Sequence, residues 1–224
     1  MTFQVRTSLL ENVDGSAELQ IGNTKVITSV TGPIEPKARQ DLPNQASLEI
    51  VIRPAVDLAS TREKLLEDKL RSLLQSIIVR YKYPRQLIQI VVQFLVSDTS
   101  SEGEIDYTSN ELNAAINCCY FALIDAGVAL SASFASLSIS LNDGKATYNP
   151  SLVDLNKSDS HHVICFNIVK GKADKILLLE SQGDIEEEEL FTMISNAVSE
   201  CEVIHQQQRK FIKEKVDNDY VWKQ

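Results

Sequence analysis

Alternation of hydrophobic and polar residues predicts several short strands along the chain. Leu48, Ile50 and Ile52 share one face of a stretch that ends at Pro54. Period-two alternation of this kind is typical of a half-buried strand. Residues 87–96 are almost all apolar, which suits a central strand that is covered on both faces.

A tight turn at Gly22-Asn23 separates residues 16–21 from a run rich in Val, Ile and Thr, residues 25–31. Glycine at this position favours a two-residue hairpin connection. We expect Pro33 to end the second run, because proline has no amide hydrogen to donate to a strand ladder. A polar loop follows.

Three helices are predicted from paired residues at their start and from apolar residues repeated every three or four positions. The pairs of capping residues are Ser60 with Glu63, Thr108 with Glu111, and Asp184 with Glu187. The third helix is expected to extend over about residues 184–215. Gly127 suits the end of the second helix, since glycine readily adopts the left-handed conformation there.

Strand patterns return between the second and third helices. Leu137, Ile139 and Leu141 alternate with serines ahead of a turn at Asp143-Gly144, and residues 163–169 and 176–179 flank another turn. The order is therefore strands, helix, strand, helix, then strands and a long C-terminal helix. We predict one α+β domain over residues 1–224.

Composition restricts the possible functions. The chain has 224 residues, 43% of them hydrophobic, with a net charge of −9. Because Lys and Arg side chains supply most of the affinity for nucleic-acid phosphates, the chain alone should bind RNA poorly. No stretch resembles a secretion signal or is long enough to cross a membrane, so we expect a soluble protein of the nucleus or cytoplasm.

The four cysteines lack the spacing of a zinc site or a redox pair, and we expect reduced core residues. Two of them, Cys118 and Cys119, are adjacent on the second predicted helix. Adjacent helical positions are about 100° apart. We therefore expect one, Cys119, on the apolar stripe with Ile116 and Leu123, and the other at the margin of the core.

Several stretches resemble one protein family. GSA followed by GNTKVITSVTGP is similar to the opening of RNase PH-type proteins, which are phosphate-dependent exoribonucleases and their relatives. IEPKARQDLPNQASLEI, TREKLLEDKLRSLL and YPRQLIQI are closer to the RNase PH-like ring subunits of the eukaryotic RNA exosome, of the fungal type named for ribosomal RNA processing. The resemblance is dense to about residue 125, and ALIDAG carries most of it beyond that point.

The resemblance implies an RNase PH-like fold and a place in a hexameric ring of such subunits. It also implies RNA-binding cap subunits, an associated exoribonuclease that degrades RNA passing through the ring channel, and a location in the nucleus, the nucleolus and the cytoplasm. The chain would be a non-catalytic structural subunit. The alternatives are an active phosphate-dependent exoribonuclease and an unrelated scaffold domain.

The loop of residues 97–106 argues against activity. Active relatives place a Gly-Gly-x-Arg type loop here, since backbone amides at a helix N-terminus and an arginine together bind phosphate. This loop has four carboxylates, one glycine and no Arg or Lys. We predict that the phosphate-binding loop is lost, and we interpret the acidic stretch as a solvated loop rather than a Ca²⁺ or Mg²⁺ site, because its spacing does not match an EF-hand.

Other positions of the family site also differ. Leu58 and Asp68 stand where the resemblance implies arginines, and the remaining cations, Arg62, Lys64 and Arg71, suit an ordinary charged helix face. Asp154 or Asp159 corresponds at most to one of the family's metal-binding carboxylates, without the paired pattern. His161 and His162 would point to opposite faces of a strand, so they cannot hold one metal ion together. We expect no catalytic, cofactor-binding or metal-binding residues.

Lys37 and Arg39 lie in the polar loop after the first hairpin. The resemblance places this region near the path of RNA, which would give these side chains sequence-independent contacts with phosphates. Alternatively the loop faces solvent or a partner, with Lys37 paired to Glu35 and Arg39 to Asp41.

Overall fold

A computed structural model describes residues 4–56, 58–97, 107–142 and 144–219. The first half of this part forms a five-stranded sheet in the order β1-β2-β3-β5-β4 with one crossover helix. Its elements are β1 (Gln4–Thr7), β2 (Gly15–Ile21), β3 (Thr24–Ile34), β4 (Ser47–Arg53), α1 (Thr61–Ile77) and β5 (Leu87–Val96). β5 pairs antiparallel with β3 and parallel with β4. The parallel pair needs a crossover connection, and α1 provides it.

The second half forms a four-stranded antiparallel sheet in the order β7-β6-β8-β9. Its strands and the remaining helices are α2 (Ser109–Asp125), β6 (Ser133–Asn142), β7 (Lys145–Tyr148), α3 (Leu152–Lys157), β8 (Ser160–Val169), β9 (Lys172–Gly183) and α4 (Glu187–Asp219). The predicted α+β fold with a long C-terminal helix is confirmed. The domain bounds of 1–224 include residues outside those described and stay a prediction.

Helix α2 lies between the two sheets. It packs on β2 and β3 on one side and on β6 and β8 on the other, so it is buried nearly all round. Cys118 and Cys119 are both 0% exposed, and Cys118 donates from Sγ to the Ala17 carbonyl oxygen at 3.2 Å. The expectation that one of them lies at the margin of the core is wrong, because the helix has no open side at this level.

Two glycines are required by the geometry of the first hairpin. A Cβ atom on Gly15 would lie 2.3 Å from the Ala126 amide nitrogen and 2.5 Å from the Ala122 carbonyl oxygen, so only glycine lets β2 approach the end of α2. Gly22 has φ +58° at the turn into β3, as the predicted hairpin requires.

A buried polar network joins α2 to β6 and α4. The Asn117 side-chain amide donates to Ser136 Oγ at 2.9 Å, and Ser136 Oγ donates to Asn113 Oδ1 at 2.7 Å. Gln208 on α4 donates to Asn117 Oδ1 at 3.2 Å. The serines that alternate with the apolar residues of β6 are therefore buried as well, because their hydroxyls have partners on α2.

The capping box of α1 is confirmed: the Ser60 amide donates to Glu63 Oε2 at 2.6 Å. The expected end of β3 at Pro33 is wrong. The strand continues to Ile34 across a register shift, and the Gly32 amide donates to Asp14 Oδ2 at 2.8 Å. A proline is tolerated here because the ladder is already interrupted.

The other two predicted caps are wrong. Thr108 makes no side-chain capping hydrogen bond at the start of α2, and Glu111 pairs with Arg62 of α1. Helix α4 begins at Glu187, with the Leu190 amide bonded to the Glu186 carbonyl oxygen. Asp184 therefore lies before the cap position, and its amide donates to the Asp159 carbonyl oxygen at 3.2 Å.

Candidate functional site

The N-terminus of α2 is the place where the resemblance locates phosphate binding, and a side chain of α1 covers it. Arg62 Nη2 lies 2.8 Å from Glu111 Oε2 and donates to the Tyr107 carbonyl oxygen at 3.4 Å. Arg62 Nη1 lies 3.5 Å from Glu63 Oε1. We refer to Arg62, Glu63 and Glu111 as the Arg62 cluster. Its cation is already engaged by two carboxylates of the protein itself.

The carboxylates of this cluster are held in different ways. The Glu111 side chain is only 5% exposed, and burial raises its pKa, although the charge of Arg62 opposes the rise. Burial would also raise the pKa of Glu63, but hydrogen bonds from the Ser60 hydroxyl and amide lower it. With both carboxylates ionised the cluster carries one net negative charge, which disfavours an additional anion.

A small cavity lies between the start of α2 and strands β8 and β9. Its described lining includes Ser109, His161 and Glu180, and its volume is about 10 Å³, about enough for one water molecule. Tyr107 packs edge-to-face on His161, with ring centroids 5.0 Å apart. Lys69 forms an ion pair with Glu180 across the same region. This cation is therefore also unavailable to a ligand.

Most of the acidic loop of residues 97–106 lies outside the described part of the chain, which omits residues 98–106. Loss of the phosphate-binding loop therefore stays a prediction from sequence. What the structure adds is that the neighbouring cations on α1 are occupied.

The cations of α1 make local ion pairs. Lys64 Nζ lies 2.7 Å from Glu67 Oε2, and Arg71 Nη1 lies 2.8 Å from Asp68 Oδ1. Glu67 is buried and also accepts a hydrogen bond from the Ile52 amide at 3.0 Å. The structure thus shows Lys64 and Arg71 as members of a charged helix face, while Arg62 reaches across to α2.

Asp154 serves as a helix cap. Its Oδ2 accepts hydrogen bonds from the Ser151 hydroxyl at 2.7 Å and from the Ser151 amide at 3.0 Å, at the start of α3. The hydrogen bond from the Ser151 hydroxyl is the main cause that lowers the pKa of Asp154. Asp159 follows α3, and its amide donates to the Leu141 carbonyl oxygen at 2.9 Å. The sequence analysis missed α3 and its capping box.

The adjacent histidines point to opposite faces of β8. His161 is bonded to Gln182 at 3.0 Å, whereas His162 is fully buried and bonded to Ser160 Oγ at 2.9 Å. Burial lowers the pKa of His162 to about 4. No group of three or more His, Cys, Asp or Glu side chains in the described ranges is arranged to hold a metal ion.

Lys37 and Arg39 are exposed in the loop between β3 and β4. Asp41, which we had considered as the partner of Arg39, instead lies 2.8 Å from Arg85 Nη2. Among residues 4–56, 58–97, 107–142 and 144–219, neither Lys37 nor Arg39 takes part in an ion pair. Their role in RNA contact stays a prediction.

The contact between Arg62 and Glu111 was missed by sequence reasoning. The two residues are 49 positions apart by their numbers, and neither breaks a local pattern, since both lie in the first turn of a helix. A carboxylate in the first turn of an otherwise apolar helix is the one signal that could have pointed to a buried partner.

Comparison with known proteins places these observations in a family. The RNase PH family, described as "3′ exoribonuclease family, domain 1", matches residues 2–129. The protein named exosome complex component RRP46 of Saccharomyces cerevisiae is 42% identical over 220 residues, which cover 96% of this chain and 97% of that protein. The Schizosaccharomyces pombe protein of the same name is 31% identical over 92% of this chain and 88% of its own length.

A more distant relative and a solved structure also match most of the chain. Exosome complex component Rrp41 of Archaeoglobus fulgidus is 28% identical over 94% of this chain and 81% of its own length. The crystal structure of rice (Oryza sativa) Rrp46 superposes with a TM-score of 0.84, covering 95% of this chain and 94% of that one. At 23% identity this likeness shows the fold. The family match and the yeast relatives together show that the chain belongs to the RNase PH family.

Proposed function

We propose that the chain is a non-catalytic structural subunit of an RNA exosome core ring, which supports 3′-to-5′ RNA processing and degradation by an associated nuclease. The observation that carries this proposal is the 42% identity with the yeast protein named exosome complex component RRP46, over nearly the whole length of both chains.

The geometry at α2 supports the non-catalytic part. Phosphorolysis needs an anion site for phosphate near metal-binding carboxylates. Here Arg62 is engaged by Glu111, and Asp154 caps α3. Together with the carboxylates of the 97–106 loop, these features favour a subunit that has lost phosphate-dependent chemistry.

The partners that follow are other RNase PH-like exosome subunits in a hexameric ring, RNA-binding cap subunits and an exoribonuclease that receives RNA from the channel. Ribosomal RNA processing and RNA decay in the nucleus, the nucleolus and the cytoplasm are the processes we propose. In the described ranges no helix is long and apolar enough to span a membrane. Lys37 and Arg39 are proposed contacts to the RNA backbone.

We propose the edge of β9 as a surface for a neighbouring ring subunit. β9 pairs with β8 on one side and forms the edge of its sheet. Four consecutive apolar residues lie on it, residues 176–179, and Ile176 is 42% exposed. An exposed apolar edge strand is a liability unless another chain pairs with it.

Co-assembly tests the proposal. Mixed with RNase PH-like exosome ring subunits, the chain should elute with them in size-exclusion chromatography and unfold at a higher temperature, because a partner that binds only the folded state stabilises it. Ile176→Lys on β9 should weaken assembly. Val216→Lys on α4 replaces a side chain of similar exposure, 40%, and serves as the control. A chain that stays monomeric with an unchanged midpoint in every mixture would contradict the proposal.

A further inference from the structure

We propose that a turn at Arg80–Lys82 and the loop of residues 35–41 form one binding surface for single-stranded RNA, on which Tyr81 stacks a base. This inference rests on the proposed function, because it needs a protein that handles RNA. We refer to residues 35–41 and 80–85 together as the basic surface.

The basic surface is held together by specific contacts. The Ala46 amide donates to the Arg80 carbonyl oxygen at 3.0 Å, and the Arg85 amide donates to the Leu42 carbonyl oxygen at 3.1 Å. The ion pair between Arg85 and Asp41 joins the same two segments. The Tyr83 hydroxyl accepts a hydrogen bond from the Ala129 amide at 3.0 Å. The turn is therefore a fixed part of the fold.

Tyr81 is the exposed aromatic residue at the centre of this turn. Its side chain is 74% exposed, whereas the neighbouring Tyr83 is partly buried and anchored by its hydroxyl. The ring of Tyr81 makes no aromatic contact with any other described residue. A free aromatic face beside basic side chains is the combination with which proteins bind single-stranded nucleic acid.

The charge of the basic surface is opposite to that of the chain. The two segments contain five basic and two acidic side chains, on a protein whose net charge is −9. One of the acids, Asp41, is paired within the surface. Arg80 and Lys82, like Lys37 and Arg39, form no ion pair with another described residue.

RNA suits this surface better than a protein partner does. Arginine and tyrosine are common in protein interfaces as well, but positive charge concentrated on an acidic chain favours a polyanion. A single strand is favoured over a duplex because only unstacked bases offer a face to Tyr81. The expected recognition is independent of sequence, since phosphate contacts and stacking do not distinguish the bases strongly.

The test is fluorescence anisotropy with a labelled oligouridylate, using the full chain at low salt and the chain assembled with ring subunits. Tyr81→Ala should weaken binding about tenfold, within the range for loss of one stacked base, whereas Tyr81→Phe should bind like the unmodified chain. Phe191→Ala removes an aromatic of similar exposure, 62%, and should change nothing. Lys82→Gln should lower the log-log salt slope by about 0.7, the value for one single-strand phosphate.

Unchanged affinity of Tyr81→Ala would overturn the inference. So would a Tyr81→Ala chain that binds the oligouridylate normally but no longer joins ring subunits, because Tyr81 would then be a protein contact. Failure of the unmodified chain to assemble is a different result and bears on the proposed function.

Discussion

The Arg62 cluster and the basic surface use the same kinds of side chain in opposite ways. In the cluster the guanidinium is largely buried, with 20% of its side chain exposed, and two carboxylates surround it. On the basic surface Lys37, Arg39 and Lys82 are exposed and unpaired among the described residues. The first arrangement stabilises the fold, and the second leaves charge available to a ligand.

This difference shows two ways in which one fold accommodates a cation. A cation costs free energy when it is buried without a partner, and here Glu111 pairs with Arg62. Exposed cations carry no such cost and can remain in place. Burial and pairing of each cation, and not the number of cations, therefore distinguish the two regions.

The largest expected effect is on the Arg62 cluster. Arg62→Met should lower the free energy of unfolding by about 3 kcal/mol at neutral pH, because removal of one partner leaves a buried charge uncompensated. Burial already raises the pKa of Glu111, and loss of Arg62 should raise it further. The loss of unfolding free energy should therefore be smaller at pH 5 than at pH 7, because the Glu111 carboxyl is protonated more readily at pH 5.

Urea unfolding at both pH values measures this effect. The double variant Arg62→Met with Glu111→Gln is the control, since it removes both charges and should recover at least half of the loss. Equal stability of the single variant and the unmodified chain would show that the cluster is not a structural element.

The next effect concerns Asp125 at the end of α2. Its carboxylate accepts hydrogen bonds from the Ser8 hydroxyl at 2.7 Å and the Ser16 amide at 2.8 Å, and it pairs with Lys215. Burial alone would raise the pKa of Asp125, but these partners lower it below its ordinary value. A lowered folded-state pKa contributes stability that is present above the unfolded-state pKa and is lost as the pH falls through the folded-state pKa.

Asp125→Asn should therefore lower the free energy of unfolding by about 2 kcal/mol at pH 7. The difference in stability between this variant and the unmodified chain should shrink as the pH falls from 5 to 3. Asp68→Asn is the control, since Asp68 is exposed and pairs with Arg71 on the surface. A stability difference that stays constant from pH 5 to pH 3 would contradict the claim that the ionised form of Asp125 stabilises the fold.

Cys119 is a buried, uncharged side chain outside both regions, and its substitution serves as a reference for the two charged sites. Cys119→Ser should destabilise the chain by about 1–2 kcal/mol, because it buries a hydroxyl in a site that sulfur fills. Burial raises the pKa of the Cys119 thiol well above its ordinary value, so the side chain is neutral throughout. RNA affinity of the assembled complex should not change, and chemical denaturation together with anisotropy measures both properties.

The smallest effect on stability is expected on the basic surface. Lys37→Ala and Arg39→Ala should each change the free energy of unfolding by less than about 0.5 kcal/mol, as is usual for exposed positions. RNA affinity should fall and its salt dependence should weaken. Lys210→Ala on α4 replaces another exposed lysine and should leave RNA affinity unchanged. A large loss of stability in Lys37→Ala would show that the loop is structural.

The sequence predicted what depends on local patterns. Strand alternation, the turn at Gly22 and the capping box at Ser60 all involve residues close together in the chain. Contacts between distant elements were not predictable in this way. Thr108 and Glu111 form a good local capping motif, but a tertiary ion pair with Arg62 competes for Glu111 and forms instead.

Burial on two sides explains the other differences. Cys118 on α2 was expected at the margin of the core, and alternating serines like those of β6 normally mark an exposed face. Asn113 and Asn117 supply the partners that make this polar face buried. The hydrophobic pattern of one element cannot show which polar side chains of another element will pack against it.

The most direct test of the central claim is a phosphorolysis assay of the chain assembled with its ring partners. Single-stranded RNA, Mg²⁺ and phosphate are supplied, and release of nucleoside diphosphates is measured with the unmodified chain and with its Asp154→Ala and Asp159→Ala variants. A non-catalytic subunit predicts that neither substitution in this chain changes any phosphate-dependent release. Release that requires phosphate and disappears in either variant, with assembly intact, would contradict the account.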